Sequence, residues 1–180
     1  MAQASATKVG ELAPALDLPD TNGMIHSLPG PGDAPATVVV WTCNHCPYAL
    51  AWHERIVQVA SDYENRGVRF LAVNSNDADR YPHDSLDAMR ERVEAEDWPF
   101  PYLHDERQEA ARAWAAQVTP HLYVLDPELQ IRYEGAPDPD HMDPSQDAVW
   151  LREALDAVLA GSVPARPATD PVGCSIKWKQ

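Results

Sequence analysis

The stretch Thr37-Val38-Val39-Val40-Trp41-Thr42-Cys43-Asn44-His45-Cys46-Pro47 decides how this chain is read. Residues 37–42 are β-branched and apolar without polar alternation, the pattern of a central strand buried on both faces. From Pro47 to about Asn65 the chain reads as a long helix. Proline is tolerated in a first turn, whose N–H groups have no intrahelical partner, and Gly67 follows as the stop. Between strand and helix stand Cys43 and Cys46. A helix N-terminus carries partial positive charge and unpaired N–H groups; both stabilise a thiolate, the reactive form of cysteine. Two thiols separated by two residues at that point are the geometry of a dithiol/disulfide couple.

Working outward, residues 68–73 predict a second buried strand. Residues 15–18 and 24–28 flank Asp20-Thr21-Asn22-Gly23, whose Asn-Gly is a hairpin signal, and 29–36 reads as a Pro/Gly loop. Asp84 or Ser85 can cap a helix carrying Leu86, Met89 and Val93 on one face. Trp98-Pro99-Phe100-Pro101 breaks it, and Asp105 with Gln108 resembles a capping box opening a short helix to about Ala115. Residues 121–125 and 130–133 predict a hairpin. Asp143-Pro144 is expected to cap a last helix with Leu151, Leu155 and Val158 inward, ended by Gly161. A hairpin followed by β-α-β-α-α-β-β-α implies an α/β fold, with helices on both faces of a central mixed sheet. The expected division is one domain over 1–161 and a Pro-rich tail over 162–180. The tail is expected to dock, because Ile176 and Trp178 would cost free energy if left in water.

With 180 residues the chain is long enough for one domain with a sizeable core, and its net charge of −14 argues against nucleic acid and anionic membrane as partners. Its first eight residues form no apolar segment, and its longest apolar run is far short of a membrane span; a soluble, cytoplasmic chain is the expectation. Three cysteines are too few for a disulfide scaffold. In a reducing compartment such a pair is redox-active or metal-binding rather than structural.

Three pieces of the chain together resemble the thioredoxin fold, and more closely its redoxin branch, the peroxiredoxin-like (AhpC/TSA-like) and TlpA/ResA-like proteins. Val9-Gly10-Glu11-Leu12-Ala13-Pro14-Ala15-Leu16-Asp17-Leu18 is similar to the redoxin opening, Cys43-Asn44-His45-Cys46-Pro47-Tyr48 to the active-site turn, and Thr119-Pro120 to the cis-proline site. The run from Asn74-Ser75-Asn76-Asp77 to Tyr81-Pro82, with Gly173-Cys174-Ser175-Ile176-Lys177-Trp178, further resembles a bacterial group called peroxiredoxin-like. The resemblance implies a thiol–disulfide oxidoreductase. Cys43 would be the more exposed, attacking thiolate and Cys46 the resolving thiol. Pro120, in cis, would lie across from them and leave Thr119 free to pair with an incoming chain. The implied partners are a disulfide-bearing protein or small thiol as substrate and a thiol electron donor, with no cofactor.

His45, if protonated beside the cap, would stabilise the Cys43 thiolate and make the couple more oxidising; it could equally point to water. The chain departs from thioredoxin in having Thr42 directly before the first cysteine and Thr37 where the buried acid stands, so the proton acceptor for Cys46 is unidentified. A peroxiredoxin-like antioxidant role is the alternative enzyme. Its Pro-x-x-x-Thr/Ser-x-x-Cys motif falls on Val39 and Cys43 counted from Cys46, and on Ala36 and Val40 counted from Cys43, so neither register fits. A copper- or zinc-binding or partner-binding redoxin module is the non-enzyme alternative, with Cys43, His45, Cys46, His121 and Cys174 as candidate ligands. His53, about 10 Å along the helix from Cys46, reads as a packed or surface histidine. The thirteen residues from Gly161 to Cys174 can span about 43 Å. Cys174 is thus open as resolving thiol, metal ligand or packed cysteine.

Overall fold

The computed structural model describes residues 8–30 and 34–180; part of the expected 29–36 loop and the first seven residues lie outside that range. The elements run β1 (Leu16–Pro19), β2 (Ile25–Leu28), β3 (Thr37–Trp41), α1 (Pro47–Asp62), β4 (Arg69–Asn74), α2 (Leu86–Glu96), β5 (Tyr102–His104), α3 (Glu109–Trp114), β6 (Val118–Thr119), β7 (His121–Leu125), β8 (Ile131–Gly135), α4 (Val149–Leu159) and β9 (Cys174–Ser175). Five strands form the central sheet in the order β5-β4-β3-β7-β8, parallel on the β4–β5 side of β3 and antiparallel on the other. Among the described residues no helix is long and apolar enough to cross a membrane.

Strand β3 has no polar alternation because both its faces are covered. Val38 and Val40 point into a layer with Trp52, Ile56 and Val59 of α1 and Leu151, Leu155 and Val158 of α4. Val39 and Trp41 point into the opposite layer, with Leu16 and Leu28 of the hairpin, Trp114 of α3 and Ile176. Each large apolar side chain so buried contributes roughly 1.5–3 kcal/mol. Under α1, Asp138 is fully buried. It accepts from Trp52 Nε1 at 2.8 Å, from Arg55 Nη1 at 2.8 Å and from the Ala148 N–H at 3.0 Å, so its charge is paired and its lone pairs are filled.

Of the two caps expected for α2, Ser85 is the one used, its hydroxyl accepting from the Ala88 N–H at 3.2 Å. Other local expectations are corrected. Asp143-Pro144 opens a separate 3-10 turn, Pro144–Gln146, and α4 begins only at Val149. Gln108 does not close a capping box: it stands ahead of α3 at φ 60, and its side chain reaches the tail instead. Asp105 meets the first N–H groups of α3, accepting from Ala110 and Ala111 at 3.3 and 2.9 Å.

Candidate active site

The chain leaves β3 at Trp41, turns through Cys43-Asn44-His45-Cys46 and enters α1, with Cys46 as its N-cap and Pro47 in its first turn. Both cysteines are buried, Cys43 at 1% and Cys46 at 0% exposure, so the expected difference in sulfur access is not present. Both are free thiols.

Thr119 lies across from them, at the end of β6, and the Thr119–Pro120 peptide bond is cis. This one residue meets both sulfurs. Its hydroxyl lies 3.3 Å from Cys43 Sγ, and its carbonyl accepts from the Cys46 thiol at 3.1 Å. A hydroxyl can donate to a thiolate, whereas a carbonyl can only accept. Thr119 thus offers a donor to the Cys43 sulfur and an acceptor to the Cys46 thiol.

Asp84, from the β4–α2 connection, is the functional side chain that sequence reasoning passed over. It is fully buried beneath the turn and accepts from the Asn44 N–H at 2.7 Å, Asn74 Nδ2 at 3.1 Å and Asn76 Nδ2 at 3.0 Å. His45 Nδ1 lies 2.5 Å from its Oδ2, as an ion-pair contact without the alignment of a hydrogen bond, and the imidazole stacks on Tyr81. His45 thus faces a carboxylate, and the negative charge that reaches Cys43 comes from Asp84. That charge opposes a thiolate on Cys43. The turn is held further by Arg92, which donates to the Cys43 carbonyl at 3.0 Å and to Asn44 Oδ1 at 3.2 Å, and by Tyr102, which donates to Asn44 Oδ1 at 2.9 Å.

The two thiols titrate as a pair. Hydrogen bonding with Cys46, burial and the Asp84 carboxylate push the Cys43 thiol up, in that order. The bond from Cys43 pulls the Cys46 thiol down against the cost of burial, aided by Cys174, the Ala49 N–H and the Thr119 hydroxyl. The Thr119 carbonyl works the other way, because it favours a protonated Cys46. One negative charge is shared by two sulfurs that Thr119 addresses in opposite senses.

The remaining candidates separate. His121 is fully buried but turned away from the sulfurs. Its Nδ1 accepts from the Gln117 N–H at 3.2 Å and its Nε2 lies 3.1 Å from Glu134, which removes it from any ligand set around Cys43. His53 packs on Trp98 and pairs with Glu96. Cys174 is brought to the site: it pairs in register with Thr119 and packs against Cys43, Cys46 and Ala49. Cys43, His45 and Asp84 place a sulfur, a nitrogen and an oxygen within 4.8 Å of one another, a donor set suited to a borderline cation such as zinc. Asp84 carried no local sequence signal of this role, whereas Cys174 stood among the candidates.

The model of the AhpC/TSA family matches residues 9–134. No curated protein matches the chain. An uncharacterized conserved protein from Geobacillus kaustophilus is 38% identical, with 97% of this chain and 94% of that one covered and a TM-score of 0.90. A hypothetical protein from Sinorhizobium meliloti 1021 is 33% identical over 97% of both chains, with a TM-score of 0.91. The fold is shared with a protein from Chlorobium tepidum assigned as the thiol:disulfide interchange protein DsbE, at 18% identity and a TM-score of 0.68, covering 86% of this chain and 99% of that one.

Proposed function

Because the chain belongs to the AhpC/TSA family, whose fold is the thioredoxin-like fold of the redoxins, we propose that it is a thiol–disulfide oxidoreductase working through Cys43 and Cys46. The observation that carries this reading is the double contact of Thr119, hydroxyl to Cys43 and carbonyl to Cys46.

The cycle begins with the pair sharing one proton. Cys43 passes its proton to the Cys46 thiolate. The new Cys46 thiol donates to the Thr119 carbonyl, and the Cys43 thiolate accepts from the Thr119 hydroxyl. Cys43 Sγ attacks one sulfur of a substrate disulfide; that S–S bond breaks, and the departing thiolate takes the proton held by Cys46. Cys46, again a thiolate, attacks Cys43 Sγ in the mixed disulfide. The Cys43–Cys46 bond forms as the second substrate thiolate leaves, so two electrons have passed to the substrate. The substrate is a disulfide-bearing protein or a small disulfide, and a thiol donor returns the couple to its reduced form. The proton acceptor for Cys46 is thus the leaving group, and Asp84 acts by holding the turn and opposing premature charge on Cys43.

The test is disulfide reduction with insulin as substrate, on the wild type and on Cys43→Ser. The reading requires wild-type turnover and a variant reduced to the uncatalysed rate. Peroxide consumption by the wild type without insulin reduction would instead favour the antioxidant alternative.

A further inference from the structure

The tail places a third cysteine against the two of the candidate site. Strand β9 pairs antiparallel with β6, and its register sets Cys174 opposite Thr119, the residue that touches both site sulfurs. The approach is close. A Cβ on Gly173 would fall 2.0 Å from the Thr119 carbonyl oxygen, so only glycine lets the two backbones meet here. Beyond Cys174 the segment is fixed on both sides. Ile176 is buried in the layer under β3, and its N–H donates to the Gln117 carbonyl at 3.0 Å. The Lys177 carbonyl accepts from the Asp77 N–H at 2.8 Å and from Gln108 Nε2 at 2.8 Å, while its own N–H donates to Asn76 Oδ1 at 2.9 Å. Gln108 is fully buried, so its amide is committed to holding this segment. A thiol held this way has lost its conformational freedom before any reaction begins, which raises its effective concentration at the neighbouring sulfurs.

We propose that Cys174 is a third redox thiol, whose partner is Cys46. This rests on the reading of Cys43 and Cys46 as a redox couple and adds a second disulfide state to it. In the exchange, the Cys174 thiolate attacks Cys46 Sγ of the Cys43–Cys46 disulfide. The Cys43–Cys46 bond breaks, the Cys46–Cys174 bond forms, and Cys43 leaves with the electron pair and takes up the proton that Cys174 released. One disulfide and one thiol stand on each side, so no outside oxidant is consumed. Burial pushes the Cys174 thiol up, which makes this exchange slow at neutral pH and faster as pH rises. The Cys43–Cys46 disulfide forms first, and the Cys46–Cys174 state returns Cys43 to its free form. Strand β9 occupies the edge of β6, so Thr119, expected to be free to pair with an incoming chain, is paired with the chain's own cysteine.

The test uses the reduced Cys43→Ser chain exposed to oxidised glutathione, followed by acid quench, intact mass and peptide mapping. Cys46 and Cys174 are expected to become linked, with release of two glutathione thiols. The glutathione adduct left on the protein should be at least about tenfold lower than in the Cys43→Ser, Cys174→Ser double variant. Persistent adduct on Cys43→Ser, with no 46–174 linkage, overturns the proposal. The wild type supplies a readout that needs no variant: starting from the isolated Cys43–Cys46 disulfide, Cys46–Cys174 should appear faster at about pH 9 than at about pH 7. A wild type showing Cys43–Cys46 alone at every pH overturns the proposal but leaves the redox couple standing. A wild type with no Cys43–Cys46 disulfide removes the couple and the proposal together.

Discussion

The backbone N–H of Asn44 donates to the buried carboxylate of Asp84 at 2.7 Å, across 40 positions of sequence. That bond fixes the turn between the two cysteines to the β4–α2 connection and holds a negative charge against Cys43.

Substituting Asp84→Asn keeps an oxygen to accept from Asn44 and removes the charge. A Cys43 thiolate then costs less, the reduced state gains, and the disulfide becomes more oxidising. A tenfold shift in the equilibrium with glutathione, about 30 mV upward, is the expected size. A potential that stayed put or moved downward would count against this role for Asp84.

Thr119→Val removes the hydroxyl at Cys43 and keeps the carbonyl at Cys46. A hydrogen bond to a charged group contributes about 1.5–3 kcal/mol, so disulfide reduction should slow by about tenfold or more. The circular dichroism should be unchanged, and alkylation kinetics should show the Cys43 thiol harder to ionise. Unaltered turnover would mean that the hydroxyl does not support the attacking sulfur.

Asp138→Ala strands the Arg55 guanidinium in the interior and leaves Trp52 Nε1 and the Ala148 N–H without an acceptor. Removing one member of a buried ion pair costs about 3–5 kcal/mol, and urea titration should show a loss of that order. A loss within 1 kcal/mol, on the order of an exposed pair, would show that water reaches the pocket.

His53 gives a pH dependence. Burial and then Arg92 pull its imidazole down to about 4, against the attraction of Glu96. The unfolded chain takes up that proton near the ordinary histidine value of 6.5 and the folded chain only near 4, so the unfolded state binds more protons in between. Stability therefore falls as pH drops from above 6.5 through 4, by up to about 3 kcal/mol from this group. His53→Gln should flatten that limb of the stability-against-pH curve relative to the wild type; parallel curves would assign the loss to other groups.

Elements whose pattern is local were legible in the sequence. The unalternating run of β3 reads as buried because both faces are covered, and Asn22-Gly23 marks the turn of the β1–β2 hairpin, with Gly23 at φ 82. The CxxC turn and the Thr119-Pro120 site are likewise signalled by residues next to them, whereas α1 ends at Asp62, short of the stop expected at Gly67, which closes a separate 3-10 turn over Glu64–Arg66. What failed was the assignment of polar residues with two available uses. Asp84 and Ser85 both suit a helix cap; Ser85 took the cap, which left Asp84 for a partner 40 positions away. Gln108 fits a capping-box spacing, yet its amide is spent on the Lys177 carbonyl. The place of Cys174 depends on a tail without periodicity, whose register is set by the close passage of Gly173 over Thr119.

The two-sided packing of β3 also divides the aromatic residues. Trp52 and Trp98 lie in the layer under α1 and α4, and Trp41 and Trp114 in the layer with α3 and Ile176. Replacing Trp52, Trp98 and Trp150 by Phe silences the first layer and replacing Trp41 and Trp114 the second, with the exposed Trp178 replaced in both, so that each variant keeps emitters in one half of the interior. The chain thereby carries optical labels that tell whether its two halves melt together or in turn.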